Sequence, residues 1–327
     1  MRRVSTTSSR LAFALILSLI GSVGSAETIN CDGGGAVGSG AGRISSVPFT
    51  ISAPGVYCVT QKITTNLASG AAITINANNV LLDLNDFAIG NLGAGPSTLA
   101  VGILAQDRQN IHIRDGVLRG FWSAIGLLNG TSSGLTTALS SGHTVEGIIA
   151  DTSYISGIAV QGPYVTVKNN KVMNTSGSNI ANTLYPQAQN GSSGIVVGQG
   201  VGIHVFGNVV YNTDCTNGCT ASTAGVQAIN IQPTSYGAVI ENNTIVSQSI
   251  SATVGSQGIV FGGHNGTAAS FDGFVYNNTI ANFAQGISFC NSTGFVCTGI
   301  MIGNLTTAVT SPYNGGTSPV PILGTNF

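Results

Sequence analysis

The side chains able to do ionic chemistry are few, and their spacing brings them together. When the short apolar segments beside them are aligned, Asp83, Arg114, Glu146 and Lys168 stack in one column, continued by Phe206, Glu241 and Tyr276. A neighbouring outward column holds Leu81, His112, Thr144, Thr166, His204, Val239 and Phe274. The first four members of the charged column alternate in sign, as solvated cross-strand pairs do, each worth about 0.2–1 kcal/mol. The same side chains define a candidate groove. Removing a proton beside an acidic carbonyl needs a base and a cation to stabilise the enolate. Arg114 or Lys168 is the candidate base, with His112 and Glu146 completing the catalytic set. A calcium ion held by carboxylates is a possible cation, although Asp83, Asp115, Glu146 and Asp151 lack the spacing of a calcium loop.

Around this set lie Arg119, Asp115 and Asp151 as candidate ligand contacts, and Trp122, Tyr164 and Phe206 as aromatic surfaces on which a sugar ring can stack. Phe121, Tyr154, Tyr185 and Tyr276 belong to the same expected exposed aromatics. His112 and His204 fall on outward strand positions, whereas His143 and His264 fall near surface turns or loops. Cys215 and Cys219 could hold a metal with His204, but no second paired-ligand cluster accompanies them, so no metal is expected there. Asn212-Thr213-Asp214 matches one motif of sugar-hydrolysing carboxylate sites. The chain has no Asp-Asp pair, and Gly263-His264-Asn265 only echoes a further motif, so the match is read as part of a turn.

The elements that must position these residues come from a degenerate repeat. Each copy opens on a short apolar strand, as in Gly102-Ile103-Leu104, Gly157-Ile158-Ala159-Val160, Gly194-Ile195-Val196-Val197, Ala228-Ile229-Asn230-Ile231, Gly258-Ile259-Val260-Phe261 and Gly286-Ile287-Ser288-Phe289. A second strand follows and ends in a polar turn: Lys168-Asn169-Asn170, Gly207-Asn208, Glu241-Asn242-Asn243, Tyr276-Asn277-Asn278 or Gly303-Asn304. Alternation such as Ile111-His112-Ile113 has the period of a strand, and no segment past the leader shows a helical period. Three short strands per repeat predict an all-β fold, a right-handed parallel β-helix of about eight coils, roughly 40 Å long at the usual strand spacing. The asparagines serve its corners, because Asn, Asp and Gly tolerate left-handed backbone. Stacked copies can also hydrogen-bond along the rod as a ladder.

The pattern resembles the exported right-handed parallel β-helix repeat proteins of the pectate-lyase-like superfamily. The resemblance spans about residues 44–305. It is clearest in Pro54-Gly55-Val56-Tyr57, in Val80-Leu81-Leu82-Asp83-Leu84-Asn85-Asp86-Phe87 and in Ile111-His112-Ile113-Arg114-Asp115-Gly116-Val117. It implies polysaccharide or glycan as the partner. The function expected first is glycan binding on the long face. The alternatives are a polysaccharide lyase or epimerase acting on uronic-acid polymers, and a structural or adhesive surface protein without catalysis. A copper-processing role, known for some exported β-helix repeat proteins, finds no methionine-rich site here.

Composition narrows the field further. Only 6% of the 327 residues are charged and 46 are glycine. No basic surplus exists to neutralise phosphates, which argues against nucleic acid. Arg2, Arg3 and Arg10, the apolar run Leu11 to Ile20, and Gly24-Ser25-Ala26 predict a secretory signal over 1–26, with no membrane span after its removal. A secreted, periplasmic or cell-surface location is expected. Cys31, Cys58, Cys215, Cys219, Cys290 and Cys297 are then expected as disulfides, the local scheme Cys31–Cys58, Cys215–Cys219 and Cys290–Cys297 being the simplest of several. The expected organisation is a cap over 27–65, the β-helix over 66–305 and a cap or tail over 306–327.

Overall fold

The computed structural model describes residues 42–130, 140–178, 180, 191–217, 225–232, 235–248, 255–262, 270–289, 296–314 and 322–323. The leader, Cys31, Cys219, Cys290, Tyr185 and His264 lie outside the described residues, as does the side chain of Cys297. Every regular element described is a strand, apart from one 3₁₀ turn at Leu92–Ala94.

The Gly-Ile segments build the first face. Ten strands, from Phe49–Ile51 to Ser311–Asn314, form one ladder in which each strand pairs parallel with the next coil. Their register stacks Ile73, Ile103, Ile125, Ile158, Ile195, Ile229, Ile259 and Ile287 in one unbroken column. Each of these isoleucines is fully buried, and burying such a side chain is worth about 1.5–3 kcal/mol. At the core end of this ladder Phe261 and Phe289 stack with ring centroids 4.2 Å apart. Glycine precedes isoleucine in the repeat for a steric reason: a Cβ on Gly157 would overlap Val172 of the adjoining strand.

The other two faces join in a single 18-stranded assembly, because the strands Ile111–Arg119 and Thr144–Asp151 run through the corner between them. Parallel neighbours one coil apart require crossover connections, and the right-handed sense is the one such crossovers take. The fold is therefore a single-stranded right-handed parallel β-helix. Ten rungs on the first face exceed the expected eight coils. The extra ones come from both ends. Within 42–65, expected as a cap, Gly42–Ile44 pairs with Gly55–Val59, and Phe49–Ile51 pairs with Ala71–Ile75. Past residue 305, Ser311–Asn314 and Ile322–Leu323 add further strands. These segments lack the Gly-Ile and Asn signals, so the repeat did not reveal them.

Each Asn pair divides its labour at the corner. The first position takes left-handed backbone: Asn169, Asn242 and Asn277 have φ of 54°, 54° and 51°, and Gly207 and Gly303 fill the same place. The second position points inward. Asn170, Asn208, Asn243, Asn278 and Asn304 form the ladder, each Nδ2 donating to the next Oδ1 at 3.0, 3.0, 2.9 and 3.0 Å. Each Nδ2 also donates to a backbone carbonyl of the preceding coil, as Asn208 does to Val167 at 2.9 Å. These bonds satisfy corner groups that a bent strand cannot pair.

Candidate functional site

Alternation in the second face forces the candidate residues outward. Ile113, Val145, Val167, Val205, Ile240 and Val275 point into the core and are buried, so the residues on either side of them face solvent. The register reproduces both expected columns in full. Asp83, Arg114, Glu146, Lys168, Phe206, Glu241 and Tyr276 pair in succession, as do Leu81, His112, Thr144, Thr166, His204, Val239 and Phe274.

Within these columns the charges pair. Arg114 donates from Nε and Nη2 to Asp83 Oδ2 at 2.9 and 2.7 Å, and its Nε lies 3.7 Å from Asp115 Oδ2. Glu146 is shared: His112 Nε2 lies 2.6 Å from Oε1 and Lys168 Nζ 2.8 Å from Oε2. Partial burial pushes the Glu146 carboxyl up, but the hydrogen bonds and charges of Lys168 and His112 outweigh it and hold the group below its ordinary value. Burial and the Asp83 carboxylate push Asp115 up, against the pull of Arg114. His204 and Glu241 repeat the His112–Glu146 diagonal three coils on, with Nε2 2.8 Å from Oε1. His204 also lies against Phe206, ring centroids 4.3 Å apart. The sequence reading left His204 and Glu241 outside the candidate set, although the two columns already placed them on that diagonal.

Other candidates lie elsewhere. Asp115 sits on the corner with φ 52°. Past that corner, Arg119 and Asp151 face each other on the third face, Nε to Oδ2 at 3.2 Å, and Asn174 Nδ2 donates to Asp151 Oδ1 at 2.9 Å. They form a separate pair from the His112–Glu146–Lys168 group. Asn212-Thr213-Asp214 is a corner element: Asn212 Nδ2 donates to Asn174 Oδ1, Thr213 is buried, and Asp214 Oδ1 accepts from the Thr216 N–H.

Three expectations need correction. Trp122 is fully buried, with Phe121, and Tyr154 is nearly so. They occupy the turn into the first face, where the Trp122 N–H donates to Ala100 O and Trp122 O accepts from the Ile155 N–H. No ligand can stack on them from solvent. His143, expected at the surface, is 1% exposed. It stands in the inward column of Ile111, Val165, Ile203 and Ala238. Its Nδ1 accepts from the Ile111 N–H at 3.2 Å and its Nε2 lies 2.7 Å from Ser140 Oγ. Burial pushes this imidazole down to about 4. Among the described residues of the expected aromatic set, Tyr164 is the exposed one, at 68%, while Phe206 and Tyr276 are half-buried.

The pairing limits the chemistry. Lys168 donates to Glu146 and Arg114 to Asp83, so both side chains are engaged by carboxylates. Glu146 is held by two partners, Lys168 and His112. The carboxylates do not converge for calcium either: a guanidinium already stands between Asp83 and Asp115, and Glu146 and Asp151 point to other partners. Among the described residues no three His, Cys, Asp or Glu side chains gather as metal ligands. What remains is a rigid strip of hydrogen-bond donors and acceptors, repeated at roughly 4.8 Å along the rod and interleaved with aromatic rings.

No protein-family model and no curated protein matches the chain. Solved structures do. The A-module of mannuronan C-5 epimerase AlgE6 from Azotobacter vinelandii is 12% identical over 83% of this chain and 80% of its own, with a TM-score of 0.37. DFA-IIIase from Arthrobacter chlorophenolicus A6 is 11% identical over 81% of this chain, with a TM-score of 0.35. The catalytic domain of a GH87 alpha-1,3-glucanase is 12% identical over 84%, with a TM-score of 0.24. The chain spans 63% of the length of each of the latter two. None of these likenesses assigns a role to a residue of the strip. The strand pairing itself shows that the chain has a parallel β-helix fold.

Proposed function

We propose that the protein binds a polysaccharide or glycan along its second face, without catalysing a reaction there. The carrying observation is the strip itself: Arg114, His112, Glu146, Lys168, His204 and Glu241, locked by ion pairs across consecutive rungs, with Phe206 and Tyr276 in the same column. A surface that repeats along one axis suits a ligand that repeats along its length. Side chains already held in place lose little rotamer freedom on binding. Among soluble glycans, retention in affinity gel electrophoresis should occur without unsaturated product at ultraviolet wavelengths, with or without calcium. Absorbance that develops on a uronic-acid polymer and disappears in Lys168→Ala or Arg114→Ala would replace this function by the lyase one, and a changed C-5 epimer ratio in the polymer's proton NMR spectrum, lost in the same variants, by the epimerase one. Retention of no glycan at all would leave the structural or adhesive role.

The same proposal places the protein outside the cytoplasm, with residues 1–26 removed. Cys58 and Cys215, both disulfide-bonded, support an oxidising compartment. The local scheme, Cys31–Cys58, Cys215–Cys219 and Cys290–Cys297, remains the simplest pairing. Mass spectrometry of the exported protein should show a chain beginning at Glu27 with no free thiol. A retained leader or alkylatable thiols would overturn it.

A further inference from the structure

Tyr164 combines two departures from the rest of the rod. At 68% it is the most exposed large apolar side chain described, and it sits at φ 59°. Left-handed backbone strains a bulky aromatic, and such outliers persist where something other than local stability retains them. The neighbouring rungs show what the corner prefers. The equivalent positions are Asn79 and Asn110 on one side, with φ of 56° and 55°, then Gly142, and beyond Tyr164, Gly202 and Gly237. The backbone is held as at the other rungs, the Tyr164 N–H donating to Val201 O at 2.8 Å. The ring leans along the rod: a Cβ on Gly202 would stand 3.2 Å from Tyr164 Cδ1. Glycine at that rung leaves the ring room and keeps the surface beside it flat.

Tyr164 stands at the corner where the rung of Thr166 and Lys168 begins, four residues and so roughly 13 Å of chain from the charged column. The positive charge of that column is balanced locally. The two fixed cations are matched, Arg114 by Asp83 at 2.7 Å and Lys168 by Glu146 at 2.8 Å, while Glu241 meets only the His204 imidazole. A ligand bearing a carboxylate on each unit would meet no unmatched cation there and would lie against Asp83, Glu146 and Glu241. A ligand of hydroxyls can use the remaining lone pairs and N–H groups while leaving the ion pairs intact.

We infer that the second face takes an uncharged glycan, one sugar ring of which stacks by its C–H face on Tyr164. This rests on the glycan-binding function above and adds the ligand class and the anchoring residue. Ring stacking of this kind contributes about one order of magnitude in affinity.

The test uses the whole exported chain, neutral glucans and fructans as one set of probes, and alginate and polygalacturonate as the other. Retention of the wild-type protein is expected on a neutral polymer, unchanged between low salt and about 0.5 M salt, and absent on the polyuronates. Tyr164→Asn installs the residue found at Asn79 and Asn110. It should weaken retention about ten-fold while the thermal midpoint stays level or rises. Tyr164→Gly, matching Gly142 and Gly202, is the second variant should the first fold poorly. Retention on a polyuronate that collapses with salt would overturn the ligand class and leave glycan binding standing. Undiminished retention by a folded Tyr164 variant would overturn the stacking role. Retention on none of the polymers would overturn the inference together with the function it rests on.

Discussion

Asn243→Ala is expected to destabilise the rod by about 3 kcal/mol or more, whereas Asn242→Gly, one residue away, is expected to change stability by no more than about 0.5 kcal/mol. Asn243 is 1% exposed. Its Oδ1 accepts from the Asn208 N–H at 2.9 Å and from Asn208 Nδ2 at 3.0 Å. Its Nδ2 donates to Val205 O at 3.0 Å and to Asn278 Oδ1 at 2.9 Å. Alanine removes these four bonds and strands the Asn208 N–H and Val205 O in a dry corner. Each buried group left unsatisfied costs about 1–3 kcal/mol. Asn242 serves its corner through its backbone, at φ 54°, and Gly207 and Gly303 show that glycine does the same there. Urea unfolding followed by circular dichroism, with amide exchange of the neighbouring coils to catch local opening, would measure both. Similar costs at the two positions would refute the division of labour within the Asn pair.

That pair marks how far the sequence was legible. The spacing of Asn-rich turns and the two-residue alternation were enough to fix the register of both outward columns, because a parallel stack repeats one strand position every coil. They were enough to expect an asparagine ladder. They could not say which asparagine of each pair turns inward, since that depends on which residue adopts the left-handed corner. Trp122 was misplaced for a related reason. Its neighbours in the chain, Phe121 and Ser123, mark a corner at which strand alternation stops: all three are buried. The better guide lay across the coils, where Ala100 and Ile155 are the backbone partners of Trp122. A column of apolar residues at a corner predicts burial more reliably than the aromatic character of one member.

The site divides in the same way. Pairing of Asp83 with Arg114 and of Glu146 with Lys168 followed from the charged column alone, whereas the His112–Glu146 diagonal did not. That Lys168 and Arg114 are engaged by carboxylates followed only from side-chain geometry. Likewise Arg119 and Asp151 are close to the strip in sequence but stand past the Asp115 corner, on another face. Confinement of the Lys and Arg side chains to the N-terminal coils was visible in the sequence, which has none after Lys171. What replaces them toward the C-terminal end is apolar: Phe274 and Tyr276 stack at 6.0 Å, and Ile302 is exposed. The ionic strip therefore passes into an aromatic one along the same columns.

Acid should weaken this fold through a single buried imidazole. His143 has an ordinary value of 6.5 that burial lowers to about 4 in the folded chain. Between these values the unfolded chain binds a proton that the folded one refuses, so stability rises with pH across this window. The contribution is fully present above about pH 6.5 and is lost progressively as pH falls towards 4. Its size over that interval is roughly 3 kcal/mol. The geometry gives the cause. Nδ1 accepts from the Ile111 N–H, so the ring proton sits on Nε2, facing Ser140 Oγ. A second proton would set N–H against N–H in a column otherwise made of Ile111, Val165, Ile203 and Ala238. The Glu146 carboxyl, held below its ordinary value, adds a loss of the same sign at lower pH, reduced by its solvent exposure. Urea midpoints measured from pH 7.5 to 4 should fall steadily below pH 6.5 in the wild-type chain. His143→Leu leaves the Ile111 N–H without its acceptor, so it should be less stable at pH 7.5, and it should be flat between pH 6.5 and 5. An unchanged slope in that variant would place the acid sensitivity elsewhere and remove His143 as its cause.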